Sequence, residues 1–123
     1  MNLRLTSIAL ACCACAHAQA QAQTYPSKPI RMIVPNAPAG LADISARMIA
    51  SKLSETLGQQ VVVDNRAGAG STIGTAMAVK AYPDGYTLLT VFDSHATNPH
   101  LFKNLEYDTF KDLAPISLLV RGP

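Results

Sequence analysis

The sequence predicts an α/β fold with a mostly parallel sheet, because short β-branched runs alternate with stretches of helical periodicity. The first two apolar runs also each lead into a loop of small residues and then into a helix. We expect the order β-α-β-α-β, followed by a short helix and a fourth strand. Crossovers in such a sheet are right-handed, and ligands bind outside the carboxyl ends of the strands.

The first strand is expected at Ile30–Val34, a run that is apolar and short enough to be buried on both faces. The helix that follows is expected from Asp43 to Leu57. Asp43 suits its N-cap or first turn, and Gly58 suits the left-handed residue that ends a helix. The apolar face of this helix is expected to contain Ile44, Met48, Ile49, Leu53 and Leu57.

The loop between these elements, Pro35–Asp43, leads directly into a helix start. Backbone N–H groups of residues 39–43 and the helix dipole can bind a carboxylate there. Two prolines remove donors but stiffen the loop, which lowers the entropy lost on binding. The alternative is an ordinary strand-to-helix loop in which Asp43 caps the helix.

The second unit has a strand at Val61–Asp64 and a helix at Ser71–Ala81, joined by a glycine-rich loop. Such a loop places bare N–H groups at a helix start, where an anion can sit. The alternative is that the glycines serve close packing of the helix on the strand. The spacing Gly68-x-Gly70-x-x-x-Gly74 departs from the dinucleotide fingerprint, although Asp93 supplies an acid after the next strand.

The rest of the chain contains a turn, two strands and a polar loop. Tyr82–Tyr86 is a turn in which Asp84 bonds to local N–H groups and Gly85 takes the positive-φ corner. A third strand is expected at Thr87–Phe92. A polar loop at 93–99 and a short helix around 99–103 follow, and the fourth strand is expected at Leu113–Val120.

The polar loop contains Ser94 and His95, whose side chains are of catalytic and metal-binding types. Asp93, Ser94 and His95 are adjacent, so they cannot supply the geometry of a catalytic triad. His95 and His100 are five residues apart, which is the wrong spacing for two metal ligands on one helical face. We therefore expect no catalytic residues, no metal and no cofactor, and a structural or solvent-facing His95.

Residues 1–22 have the order of a secretory signal peptide: a basic start, a short apolar run and overlapping A-x-A cleavage sites. All three cysteines, Cys12, Cys13 and Cys15, lie within it, so lipidation is the alternative and disulfides are not expected in the exported part. The chain carries ten Lys and Arg against eight Asp and Glu, a balance that gives no reason to expect nucleic acid or a membrane surface as partner.

Seven blocks spread over residues 25–117 share one further property, which is their joint resemblance to a known family. The blocks are Tyr25–Arg31, Pro35-x-Ala37-Pro38-x-Gly40-x-x-Asp43, Leu57–Gln59, Asn65-Arg66-x-Gly68-Ala69-Gly70, Pro83–Leu89, Asn98-Pro99 and Lys111-Asp112-x-Ala114-Pro115-Ile116-Ser117. Together and in this order they closely resemble the Bug-type solute receptors, which are the periplasmic substrate-binding proteins of tripartite tricarboxylate transporters.

This resemblance implies a type II-like, two-lobed periplasmic binding protein that closes around small carboxylates and works with membrane permease subunits. It implies that the loop after the first strand holds a ligand carboxylate through backbone N–H groups and bridging water. The ligand-binding residues that it implies are Asn36, Ala37, Pro38, Ala39, Gly40, Asp43, Gly70, Ser71, Ser94 and His95.

Two residues of the first loop depart from the family pattern. Asn36 stands where the family usually has an aromatic residue, and Ala39-Gly40 stands where it usually has a glycine pair. Asn36 replaces an apolar wall with hydrogen-bonding groups, and Ala39 restricts the backbone conformations open to the loop. Both changes are expected to alter which ligand is bound.

Family members are roughly three times longer than this chain, so residues 23–123 resemble only the N-terminal part of the first lobe. We therefore expect a truncated parallel-sheet lobe with an exposed sheet edge and a cleft with one wall. Two alternatives remain open at this point. One is a nonfunctional truncated gene product, and the other is a fragment of an α/β enzyme that uses a nucleotide.

Overall fold

The structure is a computed structural model that describes residues 24–119. The expected signal peptide, residues 1–22, and the expected end of the fourth strand at Val120 lie outside the described residues. Within residues 24–119, no helix has the length and apolar character needed to cross a membrane.

Three parallel strands form the sheet, in the order β2-β1-β3. They are β1 (Ile30–Val34), β2 (Val61–Asn65) and β3 (Thr87–Leu89). Met32 in the central strand lies opposite Val63 of β2 and Leu88 of β3. The expected parallel α/β arrangement is therefore confirmed, with β1 in the middle and a shorter third strand than the sequence predicts.

Three helices accompany the sheet: α1 (Leu41–Leu57), α2 (Thr72–Val79) and α3 (Ser94–Leu101). Helix α1 contacts β1 and β2, whereas α2 contacts β1 and β3. Gly58 ends α1 in the left-handed region, with φ at 66°, and its N–H donates to the carbonyl of Ser54 over 3.1 Å. A single 3-10 turn, Ala69–Ser71, precedes α2.

The core forms where α1 lies on the central strand. Ile30, Met32 and Val34 are buried on the face of β1 that alternation directs to one side. Three small residues of α1, each four positions after the last, allow the helix to approach closely, and these are Ala42, Ala46 and Ala50.

The predicted apolar face of α1 needs a correction. Ile49, Leu53 and Leu57 do pack beside the core, but Ile44 and Met48 are exposed to 51% and 68%. Ile44 follows the buried Ala42 by two residues, which is about 200° of rotation around a helix. The alanine row, which the pattern of large residues concealed, marks the true centre of the buried face.

Two other predictions for the second half of the chain are wrong. Residues 94–101 form α3 instead of a polar loop, because the Asp93 carboxylate accepts from the N–H of Ser94 and the buried Asn98 anchors the helix. Residues 113–119 form no strand, since no described strand lies beside them to pair with. Ile116 and Leu118 are accordingly exposed to 82% and 72%.

The expected turn at Tyr82–Tyr86 is confirmed, and it holds the lead-in to β1. Gly85 has φ at 81°, and the Asp84 carboxylate accepts from the N–H of Tyr86 over 3.0 Å. The Tyr25 hydroxyl donates to the carbonyl of Gly85, and the N–H of Ser27 donates to the Tyr86 hydroxyl. We call these contacts the amino-end clasp, because they join the segments that precede β1 and β3.

Candidate functional site

The candidate site lies at the carboxyl ends of the strands, where the three strand-to-helix loops meet. With the strand order β2-β1-β3, β2 lies on one side of the central strand β1 and β3 lies on the other. The direction in which the chain winds through the sheet therefore reverses at β1. Such a reversal opens a crevice between the two loops that follow the adjacent strands, here β1 and β3. The β1 loop (Pro35–Gly40) and the glycine loop (Gly68–Ser71) adjoin this edge.

The first turn of α1 offers free N–H groups at this edge. Gly40 is the N-cap residue and supplies no side-chain cap, and its carbonyl accepts from the N–H of Ile44 over 3.0 Å. Within residues 24–119, the N–H groups of residues 41–43 have no hydrogen-bond acceptor. Uncapped N–H groups at the positive end of a 17-residue helix favour a bound anion.

The Asp43 carboxylate is occupied within the protein. It accepts from the N–H of Ala39 over 2.9 Å, from Nε of Arg47 over 3.0 Å and from Nδ2 of Asn65 over 2.9 Å. The hydrogen bond from Arg47 and that from Ala39 lower the pKa of Asp43 to about 2. Asp43 is 3% exposed, and its observed contacts are all with residues of the protein that shape the β1 loop. Direct contact of Asp43 with a ligand stays a prediction.

The same network fixes the tip of the β1 loop. The carboxylate of Asp43 draws in the N–H of Ala39, which adopts a left-handed conformation with φ at 64°. Asn65, at the end of β2, donates to the carbonyl of Asn36 over 3.2 Å and accepts from Arg47 over 3.0 Å. The main-chain N–H groups available to a ligand are therefore those that follow Ala39. The set of donors expected from the sequence, the N–H groups of residues 39–43, becomes smaller by that of Ala39.

Most residues of the β1 loop are exposed to solvent, and Asn36 has a side-chain oxygen without a hydrogen-bond partner among the described residues. Ala37, Pro38, Ala39 and Gly40 are exposed. Among the described residues, Oδ1 of Asn36 is buried and has no hydrogen-bond partner. The loop thus presents main chain at its surface and one amide oxygen beneath it.

The glycine loop adopts a run of positive φ angles. Gly68, Ala69, Gly70 and Ser71 have φ at 141°, 44°, 63° and 78°. The left-handed region is sparsely used by Ala and Ser, so tertiary contacts must hold this loop. Two such contacts come from α3: Nδ2 of Asn98 donates to the carbonyl of Gly70 over 2.8 Å, and Ser94 Oγ lies 3.4 Å from Ser71 Oγ.

Gly74 brings α2 against the β1 loop. A Cβ at this position would lie 2.6 Å from the carbonyl oxygen of Arg66 and 2.6 Å from Cβ of Pro35. This contact supports the close-packing interpretation for one of the three glycines. The same contact brings the glycine loop, which precedes α2, next to the β1 loop. Gly70 and Ser71 of the glycine loop and Ser94 of α3 therefore lie near the β1 loop.

His95 points into a different environment from Ser94. Its ring stacks on that of Tyr107, with centroids 6.4 Å apart and planes 5° apart. Burial lowers the pKa of His95, and the main chain of Thr109 acts in the opposite direction. The expected ligand contact of His95 stays a prediction, and the ring has a packing role.

Three residues that organise this site were missed in the sequence: Arg47, Asn65 and Asn98. Asp43 and Arg47 are four positions apart, a spacing that pairs opposite charges on a helix and could have shown the ion pair. Asn65 and Asn98 lie in blocks that match the family, but their partners are 22 and 28 residues away. Within residues 24–119, no three His, Cys, Asp or Glu side chains come together as metal ligands would.

Comparison with known proteins adds a family and relatives to this geometry. The model of the tripartite tricarboxylate transporter family receptor, TctC, matches residues 45–123. Protein BugT of Bordetella pertussis is 47% identical over 98 residues, which are 78% of this chain and 30% of BugT. The chain spans about a third of the length of the curated relatives that it matches.

Solved structures agree in fold. The periplasmic binding protein BugD superposes with a TM-score of 0.69 at 43% identity, over 72% of this chain and 29% of BugD. MatC of Rhodopseudomonas palustris, solved with bound malate, superposes with a TM-score of 0.73 at 35% identity. That match covers 77% of this chain and 33% of MatC.

Proposed function

Because the chain belongs to the tripartite tricarboxylate transporter receptor family, we propose that it binds a small organic carboxylate for uptake into the cell. The family is one of solute receptors and not of enzymes, and its relatives include periplasmic binding proteins and one solved with malate. Binding of a carboxylate, rather than chemistry on it, is therefore the activity we assign to the site.

One observation carries the proposal: the start of α1 is uncapped at the carboxyl edge of the central strand. A ligand carboxylate placed there would accept from the N–H groups of residues 41–43 and lie at the positive end of the helix dipole. The dipole of a partly enclosed helix start contributes about 0.3–2 kcal/mol toward a negative charge. Arg47 is already paired with Asp43, so in our proposal the main chain supplies most of the attraction.

The glycine loop and the start of α3 would supply the second set of contacts. The hydroxyl of Ser94 donates to that of Ser71 over 3.4 Å, so the hydrogen of the Ser71 hydroxyl is left to donate to a ligand oxygen. Helix α2 also starts without a side-chain cap, at Ser71. A dicarboxylate could thus place one carboxylate at each helix start, which fits the class of ligand seen in MatC.

We further propose that the protein is exported to the periplasm through a cleavable signal peptide in residues 1–22, and that it delivers its ligand to membrane permease subunits. The periplasmic setting of BugD and the order of basic, apolar and A-x-A segments support export. The family description supports a permease partner.

Titration calorimetry on the purified 123-residue chain tests the proposal. Malate, succinate and citrate are titrated beside dimethyl malate, which has the same skeleton without charge. We expect at least one carboxylate to bind and the diester to fail. Failure of every carboxylate, or equal binding of the diester, would contradict the assignment.

A variant separates the receptor from a nucleotide-using enzyme. Gly40→Pro removes one N–H and disfavours the left-handed conformation of Ala39, since the residue before proline is pushed toward extended backbone. We expect this variant to lose carboxylate binding. Binding of ATP or NAD that survives the substitution would favour the enzyme instead.

A further inference from the structure

Asn98 is a deeply buried polar side chain beside the glycine loop, with 2% of its surface exposed. It lies on α3, four residues after Ser94, so both side chains project from one face of the helix toward the same loop. Its Nδ2 donates to the carbonyl of Gly70 over 2.8 Å. Phe102 continues this row, and its ring would lie 3.3 Å from a Cβ at Gly70.

The peptide unit between Gly70 and Ser71 is held at both ends. Its carbonyl accepts from Asn98, and its N–H donates to the carbonyl of Gly68 over 3.0 Å. The two groups point in opposite directions across a planar trans peptide, so a flip of this unit would break both hydrogen bonds. The flip would also release Ser71 from its left-handed conformation at φ 78°.

We propose that Asn98 is a positioning residue that locks the glycine loop, and with it the Ser71 hydroxyl and the start of α2, in the geometry required for ligand binding. The part of this inference that concerns ligand binding rests on the proposed function. The part that concerns the glycine loop, which we call the lock, does not. Asn98 is placed out of reach of the ligand, because its amide is used by Gly70 and its side chain is buried. Without the amide donor, the carbonyl of Gly70 loses its partner and the loop relaxes toward ordinary φ angles.

Two variants remove the donor in different ways. Asn98→Asp keeps the shape and replaces the amide donor by an acceptor, and Asn98→Leu removes all hydrogen bonding. Asn104→Asp makes the same chemical change at an exposed position and serves as the matched control. Amide hydrogen exchange followed by NMR reports on the N–H of Ser71, which is protected through Gly68.

We expect the protection factor of the Ser71 amide to fall at least about tenfold in both Asn98 variants, as the loss of one hydrogen bond at a buried carbonyl implies. Protection in β1, at Met32, should stay as in the wild type, because a residue with a general structural role would lower protection everywhere. Malate affinity, measured by calorimetry, should fall at least about tenfold in the same two variants and not in the Asn104 control.

Unchanged protection of Ser71 in both variants would overturn the inference. Unfolding of both variants would also overturn it, since Asn98 would then support the whole fold and not the loop. If the wild-type chain binds no carboxylate while the Ser71 amide responds as expected, the proposed function fails and the lock stands. If malate binding is lost but Ser71 protection is not, the lock is refuted and the proposed function stands.

Discussion

We expect the substitution of Gly40 by aspartate to raise the stability of α1 and to weaken ligand binding. Gly40 has φ at −78° and ψ at 169°, the extended conformation that N-cap residues adopt. A Cβ there would meet only the carbonyl oxygen of Ala37, at 3.5 Å, which is an ordinary contact. The new carboxylate can therefore accept from the free N–H groups of the first turn.

The gain in stability has three parts. Replacing a glycine N-cap by aspartate contributes a few tenths of a kcal/mol, and a negative charge at the helix start contributes about 0.3–1 kcal/mol. Reduced freedom of the unfolded chain adds about 0.4–1 kcal/mol. Repulsion by Asp43, three residues further on, subtracts from this sum. We expect a net gain of about 1 kcal/mol, which raises the Tm of a domain of this size by about 4–8 °C.

The loss of affinity follows from the same geometry. The side chain would occupy the N–H groups proposed for the ligand, and two unit charges about 4 Å apart repel by about 1 kcal/mol in water and about 4 kcal/mol near a protein surface. We expect malate to bind at least about fivefold more weakly. Thermal unfolding by circular dichroism and calorimetric titration measure the two effects on one sample.

Two control variants separate charge from capping. Gly40→Asn caps the helix without adding charge, so it should keep part of the stability gain and lose less affinity. Gln60→Glu adds one negative charge before β2, at the opposite end of the sheet, and should leave affinity unchanged. A Gly40→Asp protein that is more stable and yet binds malate as tightly as the wild type would refute the proposed place of the ligand.

Three further predictions concern stability. Gly74→Ala should destabilise the fold by about 1–3 kcal/mol or more through contact with Pro35. Gly40→Ala is the control, because a Cβ at Gly40 makes only an ordinary contact. Equal Tm values for the two variants would contradict this packing. The pKa of Asp43 is about 2 when folded and 3.8 in the unfolded reference, so its contribution is complete above about pH 4 and is lost as pH falls toward 2. Acid titration monitored by circular dichroism should show this loss in the wild type and not in Asp43→Asn. Tyr86→Phe removes the acceptor of the Ser27 N–H and should lower Tm in thermal scans by about 4 °C at most. An unchanged Tm would show that this contact of the clasp adds nothing to stability.

The parts of the fold that the sequence predicts well are those fixed by local chemistry. Ile30–Val34 is a short apolar run and becomes the central strand, and Gly58 supplies the left-handed end of α1. The turn before β3 is also local, since the Asp84 carboxylate and the N–H of Tyr86 are two residues apart. In each case, the residues that specify the element are inside it or next to it.

The parts that the sequence does not predict depend on distant partners. Helix α3 is polar and contains Pro99, so its composition resembles a loop, and its burial depends on Asn98 reaching Gly70, 28 residues earlier. The candidate site shows the same limit. A helix start at the β1 loop is predictable, but the use of the Asp43 carboxylate by Asn65 requires the end of β2 to lie beside it.

The amino-end clasp fixes the end of the sheet at which the described part of the chain enters the domain. Tyr25 and Ser27 are fastened to the turn before β3, whereas the candidate ligand loops follow the other ends of the same strands. The clasp and the candidate ligand loops thus lie at opposite ends of the sheet. Immobilisation through the clasp end of the sheet is accordingly the orientation of choice for binding measurements on a sensor surface.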